Sequence, residues 1–331
     1  MCYLEREPVT AYAYYAPNRR WRNGSLDFKD IFGNPNGTAE FLEATCTVHY
    51  GDNNYVDISF ANATRNYSRL RIATIPKTEI KVDADNFAPT DNPNRLYMTY
   101  TLTSDEKGNA YLYGTFYNNS IVTVKYRGAT LKTYKFSKET ENAKSYALDA
   151  SIISLAGEGI TYDQIVENVK KELYAGKTYI NLILAPDVDE ETLEAINIGL
   201  KDARDGSINL TLIGCKKIPS RGFRHFGMLK SIALPDVTEI AEKAFLDCTR
   251  LQKVVLDNLT KVYGKAGEKG IFEGCRTEDI DLVLSKDQKV MNGGETEGGY
   301  CWTADITKDY SSEHHGSVFL DYNFKSITCD Y

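Results

Sequence analysis

A repeat with a period of 22 residues is the feature that most restricts how this chain can fold. Between residues 210 and 262 the same apolar positions recur at that spacing, in three sets: Leu210, Ile232 and Val254; Leu212, Leu234 and Leu256; Ile218, Ile240 and Val262. A single copy of such a pattern cannot bury its own apolar face, so successive copies must stack on one another. The spacing therefore predicts stacked units that share one continuous core.

The apolar positions within one copy fit neither a single helix nor a single strand. We interpret each copy as a short strand, a turn and a short helical piece, with Lys253 and Asp281 side by side on neighbouring parallel strands. Phe272 lies five residues further along than the period of 22 would place it, because of the Gly/Lys-rich insertion at 264–270. The residues predicted to build the repeat core are Ile218, Phe223, Ile240, Phe245, Cys248, Leu251, Val254, Phe272 and Cys275. Cys248 and Cys275 are predicted to be buried, reduced and stacked, as small apolar side chains rather than nucleophiles.

The clearest copy resembles a known repeat family. The pattern I-x-x-x-A-F-x-x-C-x-x-L-x-x-V-x-L runs from Ile240 to Leu256. It resembles the BspA-like leucine-rich repeats, which occur in surface proteins of Bacteroides-type bacteria and some protists. Residues 160–214 are similar to the segment that precedes such repeats, and residues 322–331 are similar to their usual C-terminal tail. The resemblance implies a leucine-rich-repeat solenoid with an α/β lead-in and a C-terminal cap, with the repeats at about 208–285.

The first half of the chain shows a different rhythm. Several short segments between residues 40 and 126 alternate apolar and polar residues, and turn-rich pieces separate them, which is typical of half-buried strands. They predict an antiparallel β-sandwich over residues 1–148, followed by a second domain over 149–331. This half is weakly similar to a fimbrillin-type sandwich. The expected fold class of the whole chain is therefore α+β.

Two amphipathic helices are predicted at the start of the second half. Residues 161–176 carry an apolar face that includes Val169, with Thr161 or Asp163 as the N-terminal cap and Gly176 after the end. Residues 189–206 begin with acidic side chains, and we expect Arg204 in the last turn.

Composition and motifs argue against several classes of function. The net charge of −7 argues against binding to a nucleic-acid backbone, which needs a basic face. No apolar run is long enough to span a bilayer. The adjacent histidines His314 and His315 lack a second cluster of ligands, so no metal site is predicted. No catalytic or nucleotide-binding motif is recognisable, so no cofactor or catalytic residue is predicted, and we expect a protein that is not an enzyme.

The expected location depends on the resemblance. No signal peptide is recognisable at the N-terminus, so the chain is either cytosolic or a trimmed mature form. The resemblance implies the cell surface, with a lipid anchor on an N-terminal cysteine. Cys2 is the candidate if Met1 does not belong to the mature chain, and an ordinary cysteine is the alternative.

The expected function is recognition of an extracellular protein or glycan through the repeat domain. The outward side chains of the repeat strands are small, which predicts a flat face, and the charged residues Arg224, His225, Arg250 and Lys253 are the predicted binding residues. One alternative is a structural or accessory subunit of a surface appendage. A second is an enzyme acting on a polysaccharide, which would need a pair of carboxylates in a groove.

Overall fold

The computed structural model describes residues 9–15, 20–22, 25–27, 42–48, 60, 65–89, 96–157, 159–263, 270–285, 288–292, 299–302 and 317–329. The chain divides into two units. The first consists of residues 1–125 and 132–150, and the second of residues 126–131 and 151–331. The boundary expected from the sequence lies between residues 148 and 149.

The first unit contains the strands with alternating apolar residues, except for the last residue of β8 and the first three of β9, which belong to the second unit. Its elements are β1 (Val9–Tyr15), β2 (Arg20–Arg22), β3 (Ser25–Asp27), β4 (Leu42–Val48), β5 (Ser68–Ala73), β6 (Glu79–Pro89), β7 (Tyr97–Thr103), β8 (Asn109–Tyr126), β9 (Ala129–Lys135) and β10 (Ser145–Asp149). A six-stranded sheet has the order β10-β5-β8-β6-β7, with β9 paired to β8, while β1–β4 and β2–β3 form two separate pairs. In β6 the side chains of Ile80, Val82 and Ala84 all point into the core, as a period of two requires.

The second unit contains two parallel arrays of short strands. Its elements are β11 (Ile153–Ser154), α1 (Tyr162–Tyr174), β12 (Tyr179–Ile183), α2 (Glu190–Leu200), β13 (Ile208–Ile213), β14 (Lys217–Ile218), β15 (Leu229–Ala233), β16 (Glu239–Ile240), β17 (Lys253–Val255), β18 (Lys261–Val262), β19 (Asp281–Leu284), β20 (Gln288–Asn292), β21 (Gly299–Trp302), β22 (Val318–Phe319), β23 (Tyr322–Asn323) and β24 (Ser326–Cys329). A seven-stranded parallel sheet has the order β11-β12-β13-β15-β17-β19-β24. A second sheet has the order β14-β16-β18-β20-β21, and only its β20–β21 pair is antiparallel.

The two predicted helices are confirmed, although the second is shorter than expected. The Thr161 hydroxyl accepts from the N–H of Gln164, and the Gln164 side chain accepts from the N–H of Thr161, which forms a capping box at the start of α1. Gly176 follows with a φ of 78°. Helix α2 ends at Leu200, so Arg204 lies beyond the helix and not in its last turn.

The predicted register of the repeat strands is confirmed. Ile232 lies opposite Leu210 on one side and Val254 on the other. Lys253 lies opposite Asp281, as the spacing of the repeats required. The apolar positions of each copy therefore align from strand to strand and face one core, because parallel pairing in register places equivalent side chains next to each other.

The predicted fold class is wrong. In place of a β-sandwich followed by a leucine-rich-repeat solenoid, the described residues are mainly strands in several mostly parallel sheets, with two α-helices, which is only loosely compatible with an α+β class. Each complete repeat contributes two strands, such as β15 and β16, to two different sheets. The predicted helical piece at 242–248 forms no helix. Residues 242–247 are turns, and Lys243 and Asp247 have φ values of 55° and 59°, which a right-handed helix excludes.

The predicted sandwich of the first half is also not found, because its described strands form one six-stranded sheet and two isolated pairs. Alternation of apolar and polar residues indicates that each strand has one buried face. It does not state how many strands join the same sheet, and this is where the prediction failed.

The outward face of the seven-stranded sheet is covered at one end. Residues 126–131 belong to the second unit, and Ala129 from this segment is 0% exposed in a cluster with Ala233, Val255 and Val283. These three sheet residues were expected on a flat, open face. That expectation is wrong at the ends of the strands, and the open part of this side of the sheet lies where the strands begin.

Candidate functional site

A groove of about 730 Å³ lies along the edge of the seven-stranded sheet at which its strands begin. Its walls come from the segments that lead into β13, β17, β19 and β24. The polar residues that line it are Arg204, Asp205, Thr249, Arg250, Gln252, Arg276, Asp279, Asp281 and Lys325. The volume lies within the range of about 300–1,000 Å³ that is typical of ligand sites.

A glycine is required where the segment before β13, the first wall, meets the segment before β17, the second wall. Gly206 has a φ of 62°, and the preceding turn is closed by the hydroxyl of Ser207, which donates to the carbonyl oxygen of Arg204 at 2.6 Å. A Cβ atom on Gly206 would lie 3.3 Å from the Cβ of Arg250. Because residue 206 has no side chain, the stem of Arg250 lies directly against this turn.

The third wall comes from the segment that enters β19. Arg276 precedes a single 3-10 turn at Thr277–Asp279, and the N–H of Asp279 donates to the carbonyl oxygen of Arg276 at 3.0 Å. The side chain of Thr277 is buried while Arg276 and Asp279 are exposed. The turn thus anchors itself through Thr277 and leaves both charged side chains at the groove.

The carboxylate of Asp281 already has two partners within the protein. The hydroxyl of Ser326 donates to Oδ1 at 2.7 Å, and Nζ of Lys325 lies 2.9 Å from Oδ2. These contacts, with the Ser326 hydrogen bond first, hold the pKa of Asp281 below its usual value of 3.8. The charge of Lys325 is therefore largely offset within the protein.

Three guanidinium groups remain available for a ligand. Arg204, Arg250 and Arg276 are all exposed, and within the described part of the chain no carboxylate forms an ion pair with any of them. Each guanidinium presents several N–H donors in a planar fork, a geometry that matches a carboxylate or a similar oxyanion. Asp205 and Asp279 add acceptor oxygens to the same groove.

The four predicted binding residues fall into two separate places. Arg250 lines the groove, and Lys253 is exposed at the start of β17, three residues further on. Arg224 and His225 lie outside its lining, in an earlier turn, where Nε of Arg224 donates to Nε2 of His225 at 2.9 Å. Nδ1 of His225 lies 3.4 Å from a carboxylate oxygen of Asp247. These two side chains are already engaged with protein partners.

Sequence reasoning missed Arg204, Arg276 and Lys325 as groove residues. Arg204 was assigned to a helix, and Arg276 follows the insertion that disturbs the repeat. A usable signal existed, because each of these cations stands one to five residues before an apolar strand segment. The segments before parallel strands meet at one edge of a sheet.

The predicted repeat residues lie in the core of the second unit, where three of them form a stack. Phe223, Phe245 and Phe272 stack face to face, with ring centroids 5.1 Å apart at each step. The Sγ atom of Cys248 donates to the carbonyl oxygen of Phe223 at 2.9 Å, and that of Cys275 donates to the carbonyl oxygen of Phe245 at 3.0 Å. Ile218, Ile240, Leu251 and Val254 are buried as well.

Both thiols are free, as predicted, although Cys275 is only partly buried. Cys248 is 1% exposed. This pair therefore extends the core at equivalent positions of successive turns.

Within the described residues there is no group of three or more His, Cys, Asp or Glu side chains that could hold a metal ion. None of the helices described there is long and apolar enough to cross a membrane. Cys2, His314 and His315 lie outside the described residues.

Comparisons with protein-family models, with curated proteins and with solved structures found no match for this chain.

Proposed function

We propose that this chain is a non-catalytic recognition protein of the cell surface, which binds an extracellular protein or glycan through the groove of its second unit. The observation that supports this proposal is the presence of three exposed arginines, without ion-pair partners in the described residues, in one groove. Arginine is a frequent anchor of binding surfaces because one side chain supplies several directed hydrogen bonds.

The architecture under the groove suits such a role. Arg250 follows Cys248, whose Sγ is bonded to the backbone of the preceding turn, and Leu251 is 2% exposed in the core. The segment carrying Arg250 is thus attached to buried residues on both sides. A rigid support lowers the entropy lost when the side chains engage a ligand.

Location at the cell surface, and a lipid on Cys2, are part of the proposal through the resemblance to the BspA-like repeats. That resemblance rests on the run from Ile240 to Leu256.

The proposal is tested by applying the purified full chain to arrays of extracellular matrix proteins and of glycans. The variant R250A/R276A removes two of the free guanidiniums. A matched control, K171A/K217A, removes the same charge from exposed positions in α1 and β14. We expect wild type and control to bind the same ligand, and the arginine variant to lose at least about tenfold in affinity, since each hydrogen bond to a charged group contributes about 1.5–3 kcal/mol.

Three results would contradict the proposal. Equal binding by the arginine variant would place the site elsewhere, the Tyr-rich first unit being the next candidate. Shortening of a polysaccharide during the incubation would indicate the enzyme. Concentration-dependent fibres without any array signal would indicate a structural subunit.

A further inference from the structure

We infer that the ligand of the groove is a linear acidic glycan, a polysaccharide with carboxylate or sulfate groups, which lies across the strand starts of the seven-stranded sheet. This inference rests on the proposed function and adds the chemical class and direction of the ligand to it.

The length of the groove favours an extended ligand. Its walls precede β13, β17, β19 and β24, which span four steps in the strand order β13-β15-β17-β19-β24. Neighbouring strands lie about 4.8 Å apart, so the line of walls extends over about 19 Å. A single small anion would use one wall, whereas a chain of several sugar units would contact all of them.

The distribution of charge favours a ligand with spaced negative groups. Arg204 and Arg250 precede strands that are two steps apart, and Arg250 and Arg276 precede adjacent strands. The exposed carboxylates of Asp205 and Asp279 also line the groove, in the same segments as Arg204 and Arg276. A densely acidic ligand would be repelled by both carboxylates. Sugar hydroxyls would instead donate to them, while an acidic substituent accepts from the guanidiniums.

The scarcity of apolar surface favours a glycan over a peptide. Among the described residues that line the groove, Leu251 is the one large aliphatic residue, and it is 2% exposed. Peptide and protein partners usually anchor an aromatic or aliphatic side chain in a desolvated pocket, and the described lining provides no such pocket. Gln252 and Thr249 supply further polar groups, which suits a ligand rich in hydroxyls.

The test measures binding of the full chain to pairs of polymers that differ only in charge. One pair is a polyuronate and the same polymer with its carboxyls reduced to alcohols. The other is a sulfated glycan and its desulfated form. Titration calorimetry at low and high salt is performed on wild type, R250A/R276A, R250K/R276K and the control K171A/K217A. Thermal unfolding verifies that each variant is folded.

We expect the acidic member of at least one pair to bind wild type and the control, and its uncharged partner to bind at least tenfold more weakly. Affinity should fall as salt rises, because ions screen exposed charges over about 8–10 Å. R250A/R276A should lose binding. R250K/R276K should retain part of it, because lysine keeps the charge but not the fork. The polymer pair in which removal of the charge weakens binding shows whether the acidic group of the ligand is a carboxylate or a sulfate.

The inference is overturned if the uncharged polymers bind as well as the acidic ones, or if an acidic peptide of equal charge binds more tightly than either glycan. If a protein from the arrays binds and R250A/R276A abolishes that binding, the proposed function stands while the acidic glycan is wrong. If no ligand responds to the arginines, both are wrong.

Discussion

Burial determines the chemistry of individual thiols in the second unit. Cys215 is 0% exposed, and burial, followed by the nearby charge of Asp236, raises the pKa of its thiol from 9.0 to about 12. The pKa of Cys248 also lies well above 9.0, because of the neighbouring thiol of Cys275 and its own burial. At neutral pH both side chains are protonated and behave as small apolar groups.

This shift predicts a loss of stability at alkaline pH. An acid whose pKa is raised by folding stabilises the native state below its unfolded pKa, near 9.0, and loses that contribution as pH rises towards 12. C215A should therefore reduce the decline in unfolding free energy above pH 9, by up to about 1.4 kcal/mol per pH unit. Urea unfolding between pH 8 and pH 10.5 measures the slope.

C329A, at a half-exposed cysteine on β24, is the control for this experiment. A slope for C215A equal to those of wild type and C329A would contradict the burial argument. A uniform loss of stability at every pH would reflect only the removed atom.

At the scale of elements, the turns that link the two sheets of the second unit are held together by a ladder of backbone hydrogen bonds, which run from each turn to the next. The N–H of His225 donates to the carbonyl oxygen of Leu246, and the N–H of Asp247 donates to that of Glu273, both at 2.9 Å. The left-handed residues His225, Asp247 and Gly274 occupy equivalent places in three successive turns. Hydrogen bonds that a helix would have made within one segment are made here between segments.

Gly274 is the position in this ladder where a side chain should be least tolerated. A Cβ atom there would lie 2.1 Å from Oδ1 and 3.3 Å from Cα of Asp247. G274A should destabilise the protein by about 2–3 kcal/mol, of which about 1 kcal/mol is the cost of left-handed alanine. Thermal and urea unfolding measure the loss.

G176A provides a matched control, because Gly176 has a similar φ of 78° and no atom within 4 Å of its Cβ position. G176A should be destabilised only by the cost of left-handed alanine. The double variant D247A/G274A should recover most of the steric part, which would appear as a coupling free energy. Equal losses for G274A and G176A would rule out the close contact with Asp247.

At the scale of the whole chain, the second unit is assembled from two separate segments, 126–131 and 151–331. Besides the apolar contacts of Ala129, the short segment is fixed by polar ones. Nδ2 of Asn181 donates to the carbonyl oxygen of Leu131 at 3.2 Å, and an amino group of Arg127 donates to Asp236 at 3.2 Å. Residues of the sheet that are far apart in sequence are thus covered by the same segment, 126–131.

A charge beneath this cover should be strongly destabilising. A129D would bury a carboxylate among Ala233, Val255 and Val283, at a cost of about 3 kcal/mol or more. The control A147D introduces the same group at an exposed alanine of β10 and should cost about 1 kcal/mol or less. Unfolding midpoints are the measurement, with A129S as a milder variant if A129D does not fold. Equal midpoints for A129D and A147D would show that the segment does not cover the sheet in solution.

Part of the candidate site could be predicted from sequence. Arg250 was identified because it occupies a turn position in a clear copy of the repeat. Arg204 and Arg276 were not, because a cation near a helix end or after an insertion looks like any solvated charge. Only the presence of β13, β17 and β19 in one parallel sheet brings the three guanidiniums to the same edge.

The period of 22 residues by itself determined which side chains face the core and which residues are neighbours on adjacent strands, because apolar burial enforces one register in parallel pairing. The capping residues of α1 could also be predicted from the sequence, since their hydrogen bonds lie within one turn of the chain. Tertiary structure alone decided that residues 242–247 form turns instead of a helix, that Ala129 covers the strand ends, and that Asp281 is occupied by Ser326 and Lys325. Each of these depends on contacts between residues far apart in sequence, whose free energy outweighs local preference.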